Sequence, residues 1–154
     1  ETLQPLKVRV IDCLQGATSA CGCSMTAHWD DVAYADVRDN SAMVAAYTAN
    51  MSDLGRTVLD PDAIGRRVTG STDMGNISYL LPSIHPMVKV APDGTAIHTE
   101  DFARFAGSES GDAAVLVGAK ARALTVVDLW TNANLLADVR REFASVTSPV
   151  DVLA

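Results

Sequence analysis

Aromatic side chains are scarce, 5% of the 154 residues, and basic charge is outweighed: 12 Lys and Arg against 19 Asp and Glu leave a formal net charge of -7. An acidic chain of this kind has no electrostatic basis for holding a phosphate backbone or an anionic membrane surface, which sets nucleic-acid binding aside. Long uncharged apolar runs are missing as well. The most apolar stretch, Ala113 to Trp130, is interrupted by Lys120, Arg122 and Asp128, whereas a membrane span needs roughly 20 nearly uncharged residues. It is expected to be a buried helix of a soluble protein. Glu1 to Pro5 lacks the basic start and short apolar run of a signal peptide, so a cytoplasmic location is the expectation. Cysteine is limited to Cys13, Cys21 and Cys23, an odd number clustered near one end rather than the even, spread pattern of a disulfide-stapled secreted domain. Reduced thiols are expected, and a Cys-Gly-Cys zinc knuckle lacks the second Cys/His pair that a structural site of about four ligands requires. Against these absences stands 48% hydrophobic content, enough for one ordinary folded domain and too much for intrinsic disorder.

The apolar pattern organises the chain into alternating elements. Leu3, Leu6, Val10, Cys13, Leu14, Ala17 and Cys21 follow a helical repeat, with Thr2 placed as a cap and Gly22 as a stop. The period then changes to two, Met25, Ala27 and Trp29 alternating with Thr26, His28 and Asp30, which predicts a strand. A second helix carries the stripe Val44, Tyr47, Met51 and Leu54, capped by Asn40 or Ser41 and ended by Gly55. A loop over Asp60 to Gly70 leads to a short helix from Asp73 to Leu81 that Pro82 stops, and Val88 with Val90 predicts a strand ending at Pro92-Asp93-Gly94. Thr99 caps a short helix through Phe105, a long helix covers about Asp112 to Thr131, and a last one runs on Leu135 or Leu136, Val139 and Phe143. This gives many helices for two confident strands, and a two-stranded piece is marginal in water. Either further strands lie near Tyr34 to Val37 and Val58, or the chain belongs to a larger fold.

Candidate chemistry gathers in three places. His28, on the polar face of a predicted strand beside Asp30, reads as a solvated surface histidine. His85, in Pro82-Ser83-Ile84-His85-Pro86, and His98, in Ala96-Ile97-His98-Thr99-Glu100-Asp101, stand in loops at element ends, where binding residues concentrate. Gly70-Ser71-Thr72-Asp73-Met74-Gly75-Asn76 supplies small residues, hydroxyls and backbone N–H groups where a helix begins, suited to a carboxylate or phosphate, or simply to an ordinary capping turn.

Taken in order, Gly70-Ser71-Thr72-Asp73-Met74-Gly75-Asn76-Ile77-Ser78, Pro82-Ser83-Ile84-His85-Pro86, His98-Thr99-Glu100-Asp101-Phe102, Gly107-Ser108-Glu109 and Ala119-Lys120-Ala121 resemble the C-terminal part of zinc aminoacylase and carboxypeptidase G type metallopeptidases. The branch most similar is that of amidohydrolases acting on aminobenzoyl-glutamate or small dipeptides. The resemblance implies an α/β fold: the C-terminal portion of a two-layer or three-layer α/β metallohydrolase catalytic domain over residues 35–154, preceded over residues 1–34 by the last helix and strand of an inserted α+β lid or dimerisation domain.

It also implies two divalent ions, zinc or manganese, a metal-activated water attacking the amide carbonyl, a homodimer, and a small amide or dipeptide substrate. By that resemblance His98 matches the last metal ligand, and Ser71, Thr72, Asp73, Gly75, Asn76 and His85 are the substrate-binding candidates. The early ligands, the bridging carboxylate and the glutamate base belong to a segment before the lid, and no His-x-Asp, Cys-x-His or Glu-Glu occurs in the chain. The expectation is therefore a portion of a metal-dependent amidohydrolase or peptidase that works with a missing N-terminal portion of the same protein and is inactive alone. The alternative is a non-catalytic binding or oligomerisation module derived from the same fold.

Overall fold

The computed structural model describes residues 3–29, 33–59 and 71–146. They divide into two compact units, the described residues up to Ala33 and those from Tyr34 onward. The expected Thr2 cap, the Asp60 to Gly70 loop and the tail beyond Pro149 lie outside the described residues.

In the first unit, helix α1 spans Leu3–Ala20 and is followed by a turn and a segment without regular structure through Trp29. The expected apolar stripe is not its buried face. Leu3, Leu6, Val10 and Leu14 are all exposed, whereas Lys7, Ile11 and Thr18, which share one side of the helix, are the shielded positions. The Lys7 ammonium lies 4.7 Å from the centre of the Trp29 ring, a cation–π contact joining the helix to that segment.

The second unit is built on α2 (Ser41–Asp53), α3 (Met74–Leu80), α4 (Glu100–Ala106), α5 (Glu109–Thr131) and α6 (Ala133–Val146). Helix α2 packs on α5 and α6, α5 on α6, and α4 on α5. Asn40 starts α2 as expected. Its Oδ1 accepts the Met43 N–H at 3.1 Å, its Nδ2 donates to the Val139 carbonyl of α6 at 3.0 Å, and its own N–H donates to the Ser83 carbonyl at 2.9 Å. One buried residue thus caps a helix with its side chain and fastens it to two other segments, to α6 by its amide and to Ser83 by its backbone. Tyr47 and Met51 turn inward from α2 and meet Ala121 of α5, with Leu54, Ile84, Val88 and Val117 around them. Burying each of the two large side chains contributes about 1.5–3 kcal/mol. Burial also raises the Tyr47 phenol above its ordinary pKa, against a smaller opposing pull from Arg122.

Helix α5 departs from the expected buried helix. One stripe is buried, Gly111, Ala114, Gly118, Ala121 and Thr125; Gly111 lies against the Phe105 and Ala106 backbone at the end of α4, Gly118 against Val88, and Ala121 and Thr125 against α2. Outside that stripe Val115, Leu116, Val127 and Trp130 stand in solvent, Trp130 at 82% exposure. The helix thus carries apolar residues, interspersed with Lys120 and Arg122, on sides that have no partner among the described residues.

No strand forms among the described residues; the sole ladder element there is an isolated parallel bridge between Asp39 and Ser83. The expected strands at Met25 to Trp29 and Val88 to Val90, and the suspected ones at Tyr34 to Val37 and Val58, have no regular secondary structure and no ladder partner among the described residues. The described residues are therefore mostly helical, and the expected α/β sheet is not among them. Around Tyr34 to Arg38 the reason is visible. The Ala35 N–H donates to Asn76 Oδ1 and the Arg38 N–H to Ser78 Oγ, both at 2.9 Å, so side chains of α3 take donors that a neighbouring strand would otherwise use.

Candidate functional site

The segment from Ser71 into α3 begins with an ordinary hydroxyl turn: Thr72 Oγ1 accepts the Met74 N–H at 3.3 Å. Asp73 occupies the cap position in a helical conformation and makes no side-chain capping bond. From there the residues expected to face a substrate separate. Ser71 and Asp73 are exposed, whereas Gly75 and Asn76 are buried against the Ala35 backbone. A Cβ on Gly75 would lie 1.8 Å from the Ala35 carbonyl oxygen, a position only glycine can fill. Asn76 spends its Oδ1 on the Ala35 N–H. Both residues therefore hold α3 against the segment that enters the second unit.

Ser78, not singled out in the sequence, completes this joint. Only 2% exposed, its Oγ accepts the Arg38 N–H and donates to the Gly75 carbonyl at 2.6 Å. The signal was available: Gly75 and Ser78 are three apart and share a helix face. Beside them the Arg38 guanidinium sits 3.7 Å from the centre of the Tyr79 ring, whose hydroxyl donates to Asp36 Oδ1 at 2.8 Å. Burial, and then the Asp36 carboxylate, push the Tyr79 phenol up, while Arg38 pulls it down.

A small open cleft of about 40 Å³ lies at this joint, lined by Arg38, Tyr79, Ser83, Glu142 and Phe143 among others. On its far wall Glu142 of α6 accepts the N–H groups of Ser41 at 2.7 Å and Ala42 at 3.1 Å, placing a carboxylate on the first turn of α2. Burial raises the Glu142 carboxyl, but those backbone donors outweigh it and hold it below the usual carboxylate value.

The two loop histidines are both exposed. The His85 N–H donates to Asp39 Oδ1 at 3.2 Å, which ties its loop to the isolated bridge. His98 carries φ +62°, the only positive φ outside glycine among the described residues. Such a backbone is uncommon for a residue with a Cβ, and histidine is among the few types enriched in it. It is held there by Thr99, whose Oγ1 donates to the Ala96 carbonyl at 2.7 Å and accepts the Phe102 N–H at 3.2 Å, so one hydroxyl closes the turn across His98 and caps α4. Among the described residues no three His, Cys, Asp or Glu side chains are grouped so as to hold a metal ion. The donors in hand do not amount to a dinuclear centre.

Over 141 residues, 92% of the chain, the sequence is 36% identical to the Xaa-Arg dipeptidase of Mus musculus and 33% identical to the Xaa-Arg dipeptidase of Homo sapiens. The likeness is to dipeptidases. The aligned span is 32% of each relative, so the chain covers about a third of the length of the curated relatives it matches. No protein-family model matches the chain. The printed names of these relatives are those of dipeptidases, and the aminoacylase and aminobenzoyl-glutamate branches of the expected family find no support in them. Among the described residues no helix is long and apolar enough to cross a membrane.

Proposed function

We propose that this chain is the C-terminal portion of a peptidase that hydrolyses the amide bond of dipeptides with arginine in the second position, acting together with a further portion of the same protein. The observation that carries this reading is the 33–36% identity to Xaa-Arg dipeptidases over 92% of the chain. Small N-acyl amino acids and aminobenzoyl-glutamate remain within the proposed substrate class as compounds with the same scissile amide.

His98 is the residue proposed to reach the reacting centre as a metal ligand. Its left-handed backbone, locked by Thr99, supports that role, because a strained loop position next to a helix start is retained where the side chain must point in one direction. Asp73 and Ser71, exposed at the start of α3, and His85 are the proposed substrate contacts. Thr72, Gly75 and Asn76 shape that loop, through a turn bond and through the Ala35 joint. The two divalent ions, zinc or manganese, belong to the complete protein in this reading, since a dinuclear centre needs about four ligands per ion, and the homodimer is proposed with them.

The test is hydrolysis of Xaa-Arg dipeptides by the longer protein, with and without chelator, beside its His98→Ala variant. Turnover that chelator removes and zinc or manganese restores, together with loss of bound metal in the variant, is the expected result. A folded longer protein that binds dipeptides without cleaving them would replace this reading by the non-catalytic binding module.

A further inference from the structure

The three cysteines play no part in the proposed hydrolysis, yet two of them are set up for chemistry of their own. All three are free and exposed. Helix α1 ends in a tight turn in which the Cys21 N–H donates to the Ala17 carbonyl at 3.1 Å, the Gly22 N–H to Ser19 at 3.3 Å and the Cys23 N–H to Thr18 at 2.9 Å. Gly22, at φ +65°, makes the reversal. Helical-type backbone, of either hand, at the middle residue brings the flanking Cα atoms to roughly 5.5 Å, inside the range that a disulfide spans. The Cys23 thiol is already turned back over its neighbour, donating to the Cys21 carbonyl at 3.7 Å. Cys13 stands eight residues before Cys21 along the helix, about 12 Å away by the helical rise, and is out of reach. The space around Gly22 is open, with nothing within 4 Å of where a Cβ would stand.

We propose that Cys21 and Cys23 form a reversible dithiol site that a small-molecule disulfide, such as oxidised glutathione, closes to an intramolecular disulfide. One thiolate attacks a sulfur of glutathione disulfide; that S–S bond breaks, and one glutathione leaves as thiolate and takes up a proton. The second cysteine thiolate then attacks the sulfur of the first, the mixed disulfide breaks, and the second glutathione leaves. The two protein thiols lose two electrons and two protons in all, and one glutathione disulfide becomes two glutathione thiols. The adjacency that Gly22 creates makes the second step intramolecular, so closure outruns the capture of another glutathione.

Intact-mass measurement on the Cys13→Ser chain, which leaves only this pair, tests the proposal after incubation with oxidised glutathione. The expected product is a monomer lighter by two hydrogens with no thiol left to alkylate, while Cys13→Ser/Cys23→Ser gains one glutathione and keeps it. A Gly22→Val substitution, which places a branched side chain at a positive φ, is expected to lower the ratio of closed to glutathione-bearing product about tenfold. Two glutathiones per chain, covalent dimers, thiols that remain alkylatable, or a closure ratio unchanged in Gly22→Val would each overturn it.

Discussion

Asn76 accepts the backbone N–H of Ala35 at 2.9 Å, from a position 41 residues away in sequence. Replacing Asn76 with Ala leaves that N–H without its acceptor inside a shielded joint, which costs about 1–3 kcal/mol. The urea midpoint of Asn76→Ala should fall accordingly with an unchanged slope. Asn76→Asp, which keeps an acceptor oxygen, should recover part of the loss, and an unaltered midpoint in Asn76→Ala would show that the joint does not hold α3.

Gly75 makes a sharper case in the same joint. With Ala35 O 1.8 Å from any added Cβ, Gly75→Ala has to push the entering segment away or unwind α3. A loss of about 2–3 kcal/mol is expected. Gly16→Ala in α1, where nothing lies within 4 Å, should instead stabilise its helix by up to about 1 kcal/mol. Denaturant unfolding of both variants checks the contrast.

The Glu142 carboxyl has a lowered pKa in the folded chain. A carboxylate lowered by folding contributes stability above its unfolded pKa and loses it as pH falls through the folded one. Stability should therefore drop in the acid range, below the ordinary carboxylate value, and Glu142→Gln should show less of this acid dependence. At neutral pH the substitution should cost about 1 kcal/mol, the usual size of a charge at a helix start. Thermal unfolding of both proteins as a function of pH measures it.

His98 offers a test in which stability and function move in opposite directions. Glycine accepts φ +62° without the Cβ penalty, so His98→Gly should stabilise the chain by about 1 kcal/mol. The same substitution in the longer protein should remove bound metal and turnover. A His98→Gly variant that is less stable, or one that keeps its full metal content, would count against the assigned role.

The exposed side of α5 predicts the behaviour of the chain alone. Val115, Leu116, Val127 and Trp130 form an apolar surface on one helix, and surfaces of this kind associate. Sedimentation should show concentration-dependent association that Leu116→Glu with Trp130→Glu reduces. The chain alone should not cleave Xaa-Arg dipeptides.

Periodicity and caps are legible in the amino-acid sequence. Asn40 and Gly55 around α2, Thr99 and Gly107 around α4, and the Tyr47 and Met51 core follow from local rules that depend on near neighbours along the chain. Partnership is not legible there. The alternation at Met25 to Trp29 predicts a sheltered side, yet Ala27 and Trp29 are exposed, and near Tyr34 to Val37 no local rule says whether a strand or a helix's side chains take the backbone donors. The loop at Ser71 to Asn76 misleads for a related reason: small polar residues that suit a ligand's approach suit an approaching backbone equally well, and only the position of Ala35 decides between them.

The small-residue stripe of α5 carries a further consequence. Where α2 crosses it the stripe offers the small side chains of Ala121 and Thr125, which interlock with no single position, so packing alone would tolerate several sliding positions. Asn50 removes that freedom. Its Nδ2 donates to Thr125 Oγ1 at 3.2 Å and to Asp128 Oδ2 at 2.7 Å, while Thr125 donates to the Ala121 carbonyl at 2.8 Å. A shift of one turn would strand this buried polar group without partners and, at the other end of α2, pull Asn40 away from Val139. The two asparagines act as stops at either end of a low-friction rail, so the helix pair gains its one fixed alignment from amides rather than from bulk.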